Sequence, residues 1–496
     1  MRVASVLASV AVLQLFSALA FAATDASAPD VAALLKRLDE QEQRIKSLEE
    51  RLALQQRKPA ATGGASVSTE TSNPASPASV NPTPGTAAIA VAPAKAGPQG
   101  FAIQSPDGAN VLRFRANLAF DGHWFSDPST PASADTWLFR KVRPYIEGTL
   151  DNTYDFRLMP DFAGGKAIIV DAYVAARIAP QFVVQVGKFK GPVGLERLQP
   201  DQYNRFVELG LPSSLVPNRD EGAQLGGDLF GGIVGYAVGY FNGVTDGAST
   251  DAAGTPDQDN DGKKDWEGRL FLQPFITTDR AYLRGLGFGA GGTYVDITGS
   301  AANALLPAYR TPGQQIFFSY RSGATATYAD GRRERWAPQL YYYVGPFGVL
   351  AEYVQSSQQV SRQVSASVRR SGQIDNSGWQ TSFSYFLTGE RELYNGLTPH
   401  STFEPGKPGI GAWELVARYH ELRIDPAAFA GGIESFSDPA VSARSARAFG
   451  VGLNWYLNQN IKWMLDFERT RFEGGAPADA NRADENAFLT RFQLIF

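Results

Sequence analysis

From Phe101 to Phe496 apolar residues recur at every second position. In Leu112-Arg113-Phe114-Arg115-Ala116-Asn117-Leu118-Ala119-Phe120-Asp121 one face is apolar and the other mostly charged or amide. The same alternation returns in Trp413–His420, Phe449–Leu457 and Ile461–Glu468. A period of two is the signature of a strand with unlike faces. The pattern predicts strands near 111–125, 137–150, 153–162, 168–178, 182–190, 221–229, 232–242 and 266–275. It continues with 285–296, 334–344, 347–357, 377–387, 411–422, 447–457, 461–472 and 486–496. Most connections alternate tight (151–152, 179–181, 345–346, 458–460) with long (191–220, 243–265, 297–333, 423–446). The gap 163–167 is short for an outer loop, and 388–410 is long for an inner turn.

Alternation alone suits a soluble sandwich or a membrane barrel, which differ in which face meets water. Ten-residue strands, aromatics near strand ends, an even strand count and tight turns alternating with long loops favour the barrel. The fold class expected is therefore all-β: a 16-stranded antiparallel transmembrane β-barrel with an N-terminal α-helical coiled coil, the barrel occupying 101–496. Phe488, Phe492, Leu494 and the terminal Phe496 share one face. That ending resembles the C-terminal signal that outer-membrane barrels present to their insertion machinery.

Different rules govern the first hundred residues. Residues 1–22 carry an early cation (Arg2), an apolar stretch and the small-x-small ending Ala20-Phe21-Ala22, the form of a signal peptide. In 31–56 the period becomes seven, with Val31, Leu38, Ile45 and Leu52 at one core position and Leu34, Gln41, Leu48 and Gln55 at the other. Arg37 and Arg44 at g and Glu42 and Glu49 at the following e pair charges between parallel copies, so this coiled coil implies self-association. Residues 59–100, rich in Ala, Pro, Ser and Thr, read as a flexible linker.

The 496-residue chain has no Cys, which removes disulfides, thiolate metal sites and Cys nucleophiles. Its three histidines (His123, His400, His420) are scattered, which argues against a His-built metal or catalytic site, and no enzyme activity is expected. A net charge of −4 leaves no basic footprint for nucleic acid.

Several stretches resemble the phosphate-selective porin O/P family. They include Phe139-Arg140-Lys141-Val142-Arg143, Glu147-Gly148-Thr149-Leu150, Val186-Gly187-Lys188-Phe189-Lys190, Gly194-Leu195-Glu196-Arg197 and Tyr240-Phe241-Asn242-Gly243. Tyr385-Phe386-Leu387-Thr388-Gly389-Glu390, Gly411-Ala412-Trp413-Glu414-Leu415 and Asn454-Trp455-Tyr456-Leu457-Asn458 carry it through the second half. The resemblance implies a homotrimeric bacterial outer-membrane channel for phosphate, pyrophosphate or polyphosphate. It also implies a third loop folded into the lumen, arginines along the path and, commonly, an N-terminal coiled coil. The coiled coil is then expected in the periplasm, where the cell wall is a candidate partner.

Strand parity nominates the anion path. With Leu112, Phe114 and Ala116 toward lipid, Arg113 and Arg115 face inward; the same rule sends Lys141, Arg143, Arg157 and Arg177 inward. A charge facing lipid at mid-depth would cost roughly 2–4 kcal/mol. Lys188 and Lys190 lead into the third loop, which adds Arg197, Arg205 and Arg219 and whose apolar content argues that it packs against something. The competing reading is a wall neutralised by Asp121, Glu147, Asp155, Asp161 and Asp171, giving a general small-solute porin of low selectivity. An envelope-tethering barrel is a further alternative. No cofactor is expected beyond a candidate structural Ca2+ in an outer loop. Asp257, Asp259, Asp261 and Asp265 have the spacing of a calcium loop, but position twelve is Gly268 and no flanking helices are predicted.

Overall fold

The computed structural model describes residues 94–97, 100–126, 134–250, 259 and 261–496. The signal peptide, the coiled coil, most of the linker and Asp257 lie outside the described residues.

Two short strands open it: β1 (Ala94–Gly97) and β2 (Gly100–Gln104). Then come β3 (Val111–Phe125), β4 (Thr136–Leu150), β5 (Tyr154–Asp161), β6 (Ile168–Ala179), β7 (Phe182–Lys190), β8 (Arg219–Leu229), β9 (Val234–Phe241), β10 (Asp265–Leu272) and β11 (Leu286–Thr298). A loop hairpin, β12 (Ala308–Arg310) and β13 (Ile316–Ser319), precedes β14 (Thr327–Val344), β15 (Phe347–Gln363), β16 (Arg369–Phe386), β17 (Ala412–Arg423), β18 (Ala443–Tyr456), β19 (Ile461–Gly474) and β20 (Glu485–Ile495). Eighteen strands share one antiparallel sheet, and setting aside the β1–β2 hairpin leaves sixteen. β20 returns to β3, from Ala487 opposite Phe125 to Ile495 opposite Asn117, and closes the barrel. Closure leaves no open edge along the barrel wall, which is what lets strands cross a bilayer.

Parity is kept as the sequence predicts. Phe114, Tyr154, Leu158, Val174 and Ile178 are exposed on the outside. One row of the outer surface, Trp413–Trp455–Trp463, lies at the tight-turn end, with the first two indoles stacked 5.1 Å apart. No helix among the described residues is long and apolar enough to cross a membrane. The Gly287–Gly292 run lies within β11, where a Cβ at Gly287 would collide with Tyr341 and Phe271.

Three differences from the sequence reading matter. The segment Ala94–Gly97, assigned to the linker, pairs with β2, and β2 pairs with β3 from Phe101 opposite Phe114 to Gln104 opposite Val111. Phe101 meets the ring of Phe496 edge-on at 5.9 Å, so this hairpin continues the sheet past the end of the chain. β14, β15 and β16 run several residues further outward than the apolar pattern implied, because polar residues such as Gln358, Gln359 and Ser361 pair there without a lipid-facing requirement. In β4 a bulge opposite Ala119 and Phe120 lets consecutive residues Arg140 and Lys141 both reach inward.

Candidate functional site

Between β7 and β8 the third outer loop, residues 191–218, turns into the lumen and docks on the inner faces of the far strands. The backbone N–H of Leu195 donates to Glu352 (2.7 Å), that of Val207 to Asp466 (2.6 Å) and that of Leu211 to His420 Nδ1 (3.0 Å). Lys462 and Asn454 donate to the carbonyl oxygens of Asn204 and Arg205 at 2.6 and 2.9 Å. Leu195, Leu211, Leu215 and Val216 are fully buried beneath the loop, the packing that its apolar content anticipated. The long inner turn 387–411 has a matching role. Tyr394 donates its hydroxyl to the Leu195 carbonyl at 2.6 Å and accepts from Gln199 at its own carbonyl (2.9 Å), propping the loop from below.

The loop divides the lumen by charge. Behind it, on β15 to β19, lie Glu352, Glu414, Asp466 and Glu468, with Glu196 from the loop and Glu392 from the inner turn, all buried. Arg418 bridges Glu196 (3.2 Å) and Glu468 (2.5 Å), and Arg205 pairs with Glu392 and lies 3.5 Å from Glu414. On the open side is a cavity of about 480 Å³. Its cations come from four directions: Arg140, Lys141 and Arg143 from β4, Lys190, Arg197 and Arg219 from the third loop and its two strands, Arg491 from β20 and Arg310 from the β12–β13 hairpin. Asp201, Glu208 and Asp246 are the carboxylates on its lining. Behind it Arg143 also bonds Asp161 (2.6 Å), Arg219 bonds Asp171 (2.7 Å) and Arg491 bonds Asp121 (2.7 Å), so eight cations meet six carboxylates among the described residues.

Two of those carboxylates anchor the loop. Asp201 lies 2.8 Å from Lys141, 2.9 Å from Arg143 and 3.8 Å from Lys190. Burial opposes its charge, yet Lys141, Lys190 and Arg143 hold its carboxyl well below the usual carboxylate range. Glu208 takes two bonds from Arg140, at 2.8 and 3.1 Å, and lies 3.8 Å from Arg491. Burial works against it too, and Arg140 and then Arg491 keep it lowered. Arg197 donates to the Ser213 carbonyl at 2.5 Å, and burial pushes its guanidinium down to about 10.

The remaining predicted cations are placed as follows. Arg115 pairs with Glu147 (2.9 Å), Arg157 with Glu147 (2.7 Å) and Asp171 (3.6 Å), and Arg177 with Asp155 (2.7 Å). This stretch near the tight-turn end is the neutralised wall of the competing reading. Arg113 lies opposite Glu147 in register and makes no ion pair among the described residues. Arg143 also bonds Asp161 at 2.6 Å. Of the expected path residues, Lys141, Arg143, Lys190 and Arg197 line the cavity; Arg113, Arg115, Arg157 and Arg177 lie outside it, Lys188 is buried beside Glu221 (3.5 Å), and Arg205 is sealed behind the loop.

Arg219 is one of the third-loop cations that the sequence nominates; Arg140, Arg310 and Arg491 are not among the predicted path residues. The Arg140 bulge and the loop hairpin carrying Arg310 leave no mark on a period-two pattern. Arg491 was within reach of parity: it alternates with Phe492 on the last strand.

The described carboxylates of the acidic loop each have a partner within the protein. Asp259 pairs with Lys264 and caps the N–H groups of Asp261 and Gly262, Asp261 accepts from Thr298 N–H at 3.0 Å, and Asp265 turns inward to Arg335 at 3.1 Å. Among the described residues one metal-compatible group exists, Asp121, His123 and Glu208. Its carboxylates are already bonded by Arg491 (2.7 Å) and Arg140. His123 and His420 are both buried, and neither has a serine hydroxyl as hydrogen-bond partner among the described residues.

The family model for the phosphate-selective porins O and P matches residues 113–496. Porin O of Pseudomonas aeruginosa is 26% identical over 164 residues, which is 32% of this chain and 35% of that protein. Among solved structures, the anion-selective porin of Comamonas acidovorans aligns at 11% identity and a TM-score of 0.46, over 78% of this chain and all of that one. OmpT of Vibrio cholerae aligns at 11% identity and 0.47, over 80% and 100%.

Proposed function

We propose, for a chain that belongs to the phosphate-selective porin O and P family, a passive outer-membrane channel whose preference for phosphate-like anions is set in the third-loop cavity. The observation that carries this reading is the convergence of eight cations on the cavity where the loop narrows the lumen, against six carboxylates that line it or bond those cations among the described residues. An anion entering from outside meets Arg310, then the guanidinium and ammonium groups of β4, β7 and β20, which replace part of its hydration shell with N–H donors. Guanidinium groups fit phosphate oxygens two at a time, which favours phosphate over spherical anions. Asp201 and Glu208 draw on the same cations, so the ion is held weakly enough to leave. Below the cavity Arg115 and Arg157 share Glu147, Arg177 pairs with Asp155 and Arg113 has no ion pair among the described residues, so the wall there is mostly paired. Selectivity is therefore set mainly where the loop narrows the pore, and the mostly paired lower wall lets the released ion pass.

The same reading takes the protein as a homotrimer, inserted through recognition of its C-terminal strand, with the coiled coil in the periplasm and the cell wall as its partner there. Phosphate, pyrophosphate and polyphosphate are the solute class. Purified protein in planar bilayers tests it: phosphate added to a chloride solution should block the chloride current in a saturable way. A chloride current indifferent to phosphate would leave the low-selectivity porin as the better account.

A further inference from the structure

On the outer surface of β17, β18 and β19, four arginines gather at the long-loop end. In register, Glu421, Arg447 and Arg471 form one row, with Arg423 and Glu473 in the row above and Arg469 in the row below. All share outward parity with the exposed residues Leu415, Tyr419, Phe449 and Leu465. The row's height follows from the register. From the tight-turn tryptophans Trp413, Trp455 and Trp463 it is eight residues along each strand. At about 3.3 Å per residue and a tilt of about 40°, that is about 20 Å along the membrane normal, against an apolar band about 25 Å tall. The arginines therefore stand at the outer edge of the hydrocarbon, at the level of the outer-leaflet headgroups.

Their acids do not satisfy them. Arg423 and Arg447 share Glu421 (2.6 and 2.9 Å), Arg447 reaches Glu473 (3.4 Å), and Arg469 and Arg471 share Asp484 (2.8 and 3.4 Å). Four cations face three carboxylates, and the Nη1 group of each arginine has no partner among the described residues. The side chains are 47 to 66% exposed. Exposed guanidinium N–H groups at the headgroup level bond most strongly to anionic oxygens.

We infer that this patch binds the phosphorylated sugar headgroup of an outer-leaflet glycolipid, its phosphate oxygens accepting from the free guanidinium edges of Arg447 and Arg471 while its acyl chains lie on Phe449, Phe467 and Phe488 below. Phosphate is the acceptor that matches a guanidinium edge in charge and geometry, and its position directly above an apolar strip matches a molecule that is anionic at one end and acylated at the other.

The test uses the full-length protein in detergent, incubated with lipid A or with lipid A stripped of its phosphates, and bound lipid is counted by native mass spectrometry. The wild-type protein should retain lipid A and release the dephosphorylated form. R447Q/R471Q should retain about tenfold less lipid A, the loss of roughly one charge-assisted contact, while its single-channel conductance stays that of the wild type. Equal retention of both lipids by the wild type, or undiminished retention by the variant, overturns the inference. Should the double variant fail to fold, the two-lipid comparison on the wild type still decides.

Discussion

Replacing Asp201 by Asn probes the cavity at its most informative point. The carboxylate lies 2.8 to 3.8 Å from Lys141, Arg143 and Lys190, in the position that a bound anion's oxygen would take. An anion seated on the same cations is then about 4 Å from Asp201, and two like charges at that distance repel by about 1 kcal/mol even at a water-like dielectric. Removing the charge should tighten a monoanion about 5-fold and a dianion, at about 2 kcal/mol, roughly 30-fold. The loop keeps its other anchors at Leu195, Val207 and Leu211. The assay is the phosphate concentration that half-blocks chloride current in planar bilayers, which D201N should lower by a factor between those bounds. An unchanged or higher concentration would refute the argument that this carboxylate competes with the ion.

Further expectations follow from the same geometry. R143Q should shift the reversal potential toward neutrality more than R177Q, because both are paired but Arg143 lines the narrowed cavity while Arg177 lies outside it. E208Q should loosen the loop, since the half-exposed Arg140 loses its two-bond carboxylate partner, at a cost of about 1–3 kcal/mol, while Arg491 keeps Asp121; hydrogen exchange across 201–210 should rise. Asp201 and Glu208 have lowered folded values, so their anchoring is complete above the ordinary carboxylate range and lost only as pH falls through those lowered values. The chloride current should accordingly be steady from neutral pH down to about pH 4. Deleting residues 25–93 should leave conductance intact, whereas extending the deletion through Gln104 removes the strand pair on β3 and should lower the thermal unfolding temperature.

Much of the wall was legible because lipid enforces it. Every residue on the outer face must be apolar or snorkel, so Leu112, Phe114 and Ala116 fix the inward direction of Arg113 and Arg115 without any tertiary information. The cavity was legible only in part. Arg140 stands next to Lys141 in sequence, and strict alternation assigns them opposite faces; a one-residue bulge overrides it. Arg205 carries the right charge, but the folding of the third loop decides what it touches, and that depends on acids over 180 residues away, Glu392 and Glu414; Lys188 lies opposite Glu221 on the neighbouring strand. The hairpin carrying Arg310 folds on its own aromatic cluster, with Tyr309 against Phe318 at 5.6 Å and bonded to Asp246 at 2.9 Å, a contact that no local pattern announces. The ladder of inward cations, legible from parity, proves mostly paired, and the unbalanced charge lies where distant segments meet.

The central claim is that the narrow part of this pore is net cationic toward the ions that cross it. Reversal potential of the wild-type channel in a steep KCl gradient measures this directly. The account predicts a potential near the chloride equilibrium value, and a potential on the potassium side would contradict it.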